Sequence, residues 1–299
     1  MNAGRKLAAF AAVLALVFGV TAAIGRTLGP DRENSKTASR ATHIQMGDGM
    51  NTHTAASGSE HMSDSVRGLA VSEDGMTLSF ARSELPRGRA TELRFAILGR
   101  DGRPVRDFEV EHERRMHFIV VRRDGQGFQH LHPRMDADGT WHVRLKLPDA
   151  GSYRAFADFK RGGSPHTLVA DLAVDGNAGY LPLPAQSTTA DTGDGYRVRL
   201  NAGAVSVGRE AQLRFTVTRS GQVIHTEPYL GAGGHLVALR EGDLAYLHVH
   251  PEEQEHAEGQ EDAVSFMSEF PSAGRYRLYL QFKHDGRVHT AEFTREVSR

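Results

Sequence analysis

The chain has 299 residues, of which 39% are hydrophobic and 24% charged, a composition that indicates a folded protein of about two domains. Residues 1–30 hold three basic side chains and no acidic ones, so the rest of the chain carries 33 basic against 37 acidic residues, which argues against a nucleic-acid-binding protein. Because there is no cysteine, disulfides, thiolate zinc sites, CxxC redox chemistry and cysteine-ligated copper centres are excluded.

Residues 1–30 predict a membrane anchor or a signal peptide. Arg5 and Lys6 precede an uncharged run from Leu7 to Gly25, which as a helix would measure about 28 Å, close to the thickness of a hydrocarbon core. The basic flank favours a cytoplasmic N-terminus. The length favours an uncleaved anchor, whereas Val20-Thr21-Ala22 resembles a cleavage site. We expect a single-pass protein of the cell membrane with extracytoplasmic C-terminal domains, or a secreted protein if the segment is cleaved.

Residues 31–65 predict a disordered tether, because Ser, Thr, Gly and Ala are frequent and apolar periodicity is absent. The tether contains six side chains that suit soft ions such as Cu(I): His43, Met46, Met50, His53, His61 and Met62. The alternative is a solvated linker of mixed composition.

The rest of the chain contains two copies of one unit, residues 66–176 and 193–299, joined by a Pro- and Ser/Thr-containing linker at 177–192. In the first copy "HFIVVRRDGQGFQHLHP" matches "HLVALREGDLAYLHVHP" in the second, and "PDAGSYRAFADFKRGGSPHT" matches "PSAGRYRLYLQFKHDGRVHT". Short runs rich in Val, Leu, Phe and Tyr alternate with Asp-Gly turn signals. This pattern predicts an all-β protein: two tandem immunoglobulin-like antiparallel β-sandwiches after one N-terminal hydrophobic helix.

Eight histidines at matched positions of the two copies are candidate metal ligands. Side chains two residues apart on a strand share a face at a spacing of about 7 Å, so each His-x-His pair can present two imidazoles to one ion. A histidine 13 residues earlier adds a third ligand, and one in the last strand of each copy a fourth. The predicted quartets are His117, His130, His132 and His166 in the first copy, and His235, His248, His250 and His289 in the second.

Neutral imidazoles suit copper, with zinc as the alternative. The opposing interpretation is structural, with each ring hydrogen-bonded at a strand end and packed on a neighbouring aromatic residue. We find no G-x-S-x-G, H-E-x-x-H or glycine-rich phosphate loop, so we do not expect an enzyme.

The segments "MHFIVVRRDGQGFQHLHP" and "PYLGAGGHLVALREGDLAYLHVHP" resemble a two-repeat family of secreted or membrane-anchored actinobacterial proteins, and more loosely YtkA-like and CopC-like heavy-metal-associated sandwich proteins. The resemblance implies an exported β-sandwich and a copper role for the matched histidines. We therefore expect an extracytoplasmic copper-binding protein for resistance, buffering or delivery. Its expected partners are the membrane, through the N-terminal helix, and a metal transporter or envelope protein. The alternative is a metal-free interaction or scaffold module.

Overall fold

The computed structural model describes residues 67–251 and 263–299. The predicted anchor and tether lie outside this range, as do the side chains of His248 and His250. Within the described residues, no helix has the length and apolarity that a membrane crossing requires. Both repeats belong to one compact unit, Glu60–Arg299.

The first repeat forms two sheets that face each other. Its described strands are β1 (Ser72–Glu73), β2 (Met76–Phe80), β3 (Glu84–Leu85), β4 (Ala90–Leu98), β5 (His117–Arg122), β6 (Gln129–Leu131), β7 (Arg134–Met135), β8 (Trp141–Lys146), β9 (Gly151–Arg161) and β10 (Ser164–Val174). The outer sheet has the order β1-β2-β4-β8-β7, and the inner sheet the order β3-β10-β9-β5-β6. Neighbouring strands are antiparallel except β3, which is parallel to β10.

The second repeat repeats this arrangement. Its described strands are β11 (Thr189–Asp191), β12 (Tyr196–Asn201), β13 (Glu210–Arg219), β14 (Gln222–Val223), β15 (His235–Arg240), β16 (Tyr246–His248), β17 (His250–Pro251), β18 (Ala263–Glu269), β19 (Gly274–His284) and β20 (Arg287–Val297). The outer sheet has the order β11-β12-β13-β18-β17, with β14 paired to β13, and the inner sheet the order β16-β15-β19-β20. The end of the predicted linker is part of the second repeat, since residues 189–191 form strand β11 and pair with β12. The all-β prediction of two repeated antiparallel sandwiches is confirmed.

The inner sheets are buried on both faces, which explains their sequences. All six residues of β5, "HFIVVR", are buried, whereas β8 on the outer sheet alternates buried and less buried positions. Phe118 and Val120 point into the core of the first sandwich, and Ile119 and Val121 into a separate apolar cluster. A strand that is apolar at consecutive positions is covered on both sides. The second layer over the inner sheet of the first repeat is the inner sheet of the second.

The interface between the repeats is a third hydrophobic core. Its buried members come from both inner sheets and from the turn before β16: Ile119, Val121, Phe156, Val169, Val237, Leu239, Leu244, Tyr246 and Tyr279. Phe128 stacks on Tyr279 with ring centroids 4.1 Å apart, and Phe156 contacts Tyr246 at 5.5 Å. In the repeat alignment Phe128 matches Tyr246 and Phe156 matches Tyr279, so the same pair of positions meets twice. The interface is therefore an internal two-fold contact of the kind seen in homodimers.

A buried ion pair lies where the linker leaves the first repeat. Arg122 Nε and Nη2 donate to the two carboxylate oxygens of Asp124 at 2.9 and 2.6 Å, and Asp124 also accepts the backbone N–H of Leu181. Both charged side chains are less than 7% exposed. Burial by itself would raise the pKa of Asp124, but the hydrogen bonds from Arg122 and from two backbone amides outweigh it and lower this pKa.

Asp124→Asn should destabilise the protein by about 1–3 kcal/mol at pH 7, because it leaves a buried guanidinium without its counter-charge. A carboxylate with a lowered folded-state pKa contributes stability above its unfolded pKa of about 4 and loses it as the pH falls through the folded value. The deficit of the variant should therefore shrink at pH 3. Urea unfolding at both pH values measures it, with Asp101→Asn, at an exposed pair, as the control. An equal deficit at both pH values would contradict this assignment.

Candidate metal centre

Histidines of both repeats meet at one end of the interface core. His117 is the first residue of β5 and His235 the first residue of β15. Because side chains alternate along a strand, His117 points to the same face as Ile119 and Val121, toward the second repeat. His235 in turn points toward the first repeat, and the two imidazoles stack with centroids 5.5 Å apart and planes 8° apart. Both residues are almost fully buried, at 3% and 4% exposure.

A third imidazole comes from the neighbouring strand β6. His130 lies opposite Ile119, and its ring centroid is 5.1 Å from that of His117 and 4.8 Å from that of His235. One nitrogen from each of the three rings lies within 4.8 Å of the other two. Since metal–nitrogen bonds are about 2.0–2.1 Å long, two ligand nitrogens on one ion are separated by at most about 4 Å. Small rotations of these side chains would let all three bind one ion.

Hydrogen bonds on the outer edges of the rings determine which ring nitrogens carry a proton and which have a free lone pair. His117 Nε2 lies 3.1 Å from the carbonyl oxygen of Glu111, which only accepts, so this nitrogen carries the proton. His130 Nδ1 lies 2.7 Å from Gln281 Oε1, so in this amide orientation it also donates. The remaining nitrogens, His117 Nδ1 and His130 Nε2, then direct lone pairs at each other across 2.9 Å. Two facing lone pairs are unfavourable unless a proton or a metal ion lies between them.

The opposite orientation of the Gln281 amide would remove the two facing lone pairs without a metal ion. If the amide is turned over, its N–H₂ group donates to His130 Nδ1, and His130 Nε2–H donates to His117 Nδ1. Thr290 Oγ1, 3.5 Å from the amide, can then donate to the amide oxygen. The orientation of Gln281 therefore distinguishes a hydrogen-bonded arrangement from one that presents two lone pairs to an ion. Hydrogen bonds of this kind around metal-bound histidines fix the tautomer of the ring.

The surroundings of His130 and His132 favour the neutral form of both rings. Burial, and then the positive charges that His117 and His132 would carry, hold the pKa of His130 well below its ordinary value. Burial lowers the pKa of His132 to about 4, with smaller effects from His117 and Arg114. A neutral imidazole has a free lone pair, so His130 and His132 need little deprotonation before they can bind a metal ion.

Two more histidines flank the three rings. His132 lies 4.8 Å from His130 and 5.3 Å from His117 between ring centroids, as expected for side chains two residues apart on one face. His112, which was not predicted, lies 6.1 Å from His117 and 6.0 Å from His235. The signal that could have found it is its position five residues before His117. Its counterpart in the second copy is Leu230. A search for histidines at matched positions of both copies therefore does not find it.

His112 lies in a strained turn. Glu111 and Arg114 exchange both backbone hydrogen bonds, which leaves His112 and Glu113 as the two residues of a tight hairpin loop. Both have positive φ, 47° and 64°, a conformation that L-residues adopt at a cost and that glycine adopts freely. The matching turn of the second repeat has glycine at its second position, Gly231. Since the carbonyl oxygen of Glu111 accepts a hydrogen bond from His117, the strained turn also orients this histidine of the cluster.

His166 and His289 do not join this cluster, contrary to the predicted quartets. His166 pairs with Phe159 across the strands and contacts its ring at 5.5 Å, so it points into the core of the first sandwich, the face opposite to that of His117. His289 pairs with Phe282 in the same way and contacts Asp194 at 2.6 Å. Of the predicted ligands whose side chains are described, His117, His130 and His235 meet in one cluster to which both repeats contribute.

The predicted ligands His248 and His250 are described only through their backbone. His248 lies opposite Val237, and this register repeats that of His130 with Ile119. The hairpin of β15 and β16 therefore has the backbone pairing of the hairpin of β5 and β6.

Residues 70–176 and 189–299 each match the family described as "Domain of unknown function (DUF8832)". The chain belongs to this family. Both DUF8832 segments contain an outer and an inner sheet, and each contributes at least one histidine to the cluster. The predicted repeat of one unit along the chain is confirmed. The resemblance to secreted or membrane-anchored actinobacterial proteins, and to YtkA-like and CopC-like proteins, stays a prediction. No curated protein matches the sequence.

Solved structures with a related arrangement are distant. The Escherichia coli adhesin FdeC matches 77% of this chain and 66% of its own at 15% identity, with a TM-score of 0.27. The Yersinia pseudotuberculosis adhesin InvE matches 74% of this chain and 58% of its own at 11% identity, with a TM-score of 0.22. The chain thus spans less than two thirds of either adhesin chain. At these identities and TM-scores no property of the adhesins is transferred to this protein.

In the metal-free protein, ring-proton NMR should show His132 titrating near pH 4. In His117→Ala the pKa of His132 should rise toward its ordinary value of 6.5, because a neighbouring positive charge and part of the burial are removed. His142→Ala, at a half-buried histidine of the outer sheet, is the control and should leave this pKa unchanged. A wild-type value near 6.5 would show that the ring is solvated and would overturn the described packing.

Proposed function

We propose that this protein binds one late first-row transition-metal ion, copper with zinc as the alternative, between its two repeats. The proposed ligands are His117, His130 and His235. The observation that supports the proposal is the approach of three buried imidazole nitrogens to within 4.8 Å of one another, from three strands of two repeats. In the described orientation of the Gln281 amide, a shared ion would also separate the facing lone pairs of His117 Nδ1 and His130 Nε2.

The chemistry of the donors favours copper or zinc over harder ions. All three are imidazoles, which suit Cu and Zn, whereas Mg²⁺ and Ca²⁺ prefer oxygen ligands. Three protein ligands leave a coordination position open, as in zinc sites that bind an exchangeable group. An open position fits reversible binding, and therefore buffering or delivery of the ion, better than a closed structural site.

The setting of this role is also part of the proposal. The N-terminal 30 residues favour a protein exported and held at the cell membrane, where a Met- and His-containing tether would precede the sandwiches. The resemblance to CopC-like proteins fits a copper role in this compartment. A metal transporter or another envelope protein would be the partner that supplies or receives the ion.

Titration of the purified full-length protein with Cu(II), Cu(I) and Zn(II) tests the proposal. His117→Ala/His235→Ala should lose one tight binding equivalent, with an affinity loss of about 100-fold or more, because two of the three ligands are removed. Because the tether also carries His and Met, the readout is the loss of one equivalent relative to wild type. His166→Ala and His289→Ala are matched controls, since both rings point away from the cluster, and they should bind like wild type.

Equal binding by wild type and the double variant would refute the proposal and favour the metal-free scaffold. Loss of binding in the His166→Ala or His289→Ala variant as well as in the double variant would instead favour the quartets predicted from the sequence, because His117 and His235 belong to those quartets too. Circular dichroism of each variant separates loss of binding from loss of folding.

Gln281→Leu should weaken metal binding by about 10–100-fold, because the amide no longer fixes the tautomer of His130. Gln281→Glu keeps an acceptor at this position and should retain most of the affinity. The side chain touches only the outer edge of the ring, so the number of ions bound should stay the same in both variants. Identical affinities for Gln281→Leu and wild type would contradict the role of Gln281 in fixing the tautomer of His130.

A further inference from the structure

We infer that His132 is an exchange ligand, through which the ion reaches and leaves the buried site. This inference rests on the proposed function and adds a route to it. His132 belongs to the loop that follows β6, and it is the flanking imidazole nearest to His130.

The position of His132 connects the surface to the cluster. The residue is partly exposed, whereas His117 and His235 are almost fully buried. Its Nε2 atom is nevertheless buried and has no hydrogen-bond partner among the described residues. The residue as a whole therefore reaches solvent while one nitrogen donor lies inside, without a hydrogen bond that would have to be broken before it could bind an ion.

His132 lies beside the cluster but outside the set of nitrogens that converge. The ring centroid of His132 is 4.8 Å from that of His130, similar to the spacing within the three-histidine cluster. Among the described residues, the set of three nitrogens that approach within 4.8 Å includes His117, His130 and His235 but not His132. An ion on His132 can thus gain His130 as a second ligand before it moves to the buried site.

The remaining rings are less suited to this step. Both nitrogens of His117 and both of His130 are engaged, with Glu111, with Gln281 and with each other. His112 is farther from His117 and His235 than His132 is from its neighbours, and it is not in ring contact with His130 among the contacts described. The transfer needs no change of oxidation state, because each nitrogen only donates its lone pair to the ion and withdraws it again.

Stopped-flow exchange of Cu(II) tests the inference, with uptake of free Cu(II) and release to EDTA measured on the full-length protein. His132→Ala should slow uptake and release by about tenfold or more, while the equilibrium affinity changes by less than about threefold, because affinity is the ratio of the two rates. His132→Asp keeps a donor atom at this position and should restore the rates. His142→Ala, the matched histidine control on the outer sheet, should exchange like wild type.

Unchanged rates in His132→Ala would overturn the inference and leave the proposed function intact. A large loss of affinity in His132→Ala would also overturn it, because His132 would then be a permanent ligand. Failure of wild type to bind Cu(II) at the three-histidine cluster would refute the proposed function for this ion, and the exchange route with it. If His132→Ala does not fold, the comparison of His132→Asp with wild type decides: rates slowed tenfold or more would overturn the inference.

Discussion

Burial of both faces of the inner sheets is the constraint on which the rest of the structure depends. The strand "HFIVVR" is apolar at consecutive positions, so one sandwich cannot cover it alone. Packing the two inner sheets against each other covers the second face of both and creates the third core. The same packing brings the first residues of β5 and β15 face to face. The histidine cluster is thus a consequence of how the hydrophobic surface is covered, and a change that loosens the interface core would separate its three imidazoles.

The two repeats are related by an internal two-fold axis, but they have different side chains at some matched positions. Thr167 donates to Asp158 in the first inner sheet, and the matching pair in the second is Thr290 and Gln281. The amide of Gln281 contacts His130, whereas Asp158 accepts a hydrogen bond from Tyr246. An amide can turn over and present either a donor or an acceptor, and a carboxylate cannot. The repeats therefore share a fold but not the same chemistry around their histidines.

Particular residues show why the sequence predicted part of the site and missed the rest. The His-x-His spacing correctly indicated that His130 and His132 share a face, because strand alternation is local. His166 was assigned to the site because it is in phase with apolar residues, and it does point inward, but into the core of its own sandwich. An inner strand has two inward faces, so periodicity could not tell which one carries the metal candidates. His112 was missed because the second copy has a leucine there.

The sequence by itself determined the all-β class, the duplication, the turn positions and the histidines available as ligands, since these follow from short-range alternation and from the similarity of the two copies. Only the tertiary structure decided which histidines meet. His117 and His235 are 118 positions apart in the chain. Their contact arises because the two inner sheets pack on each other, and the two faces of an inner sheet have similar apolar sequences. Burial of apolar surface is non-directional, so a pattern of apolar residues shows that a face is covered without showing what covers it.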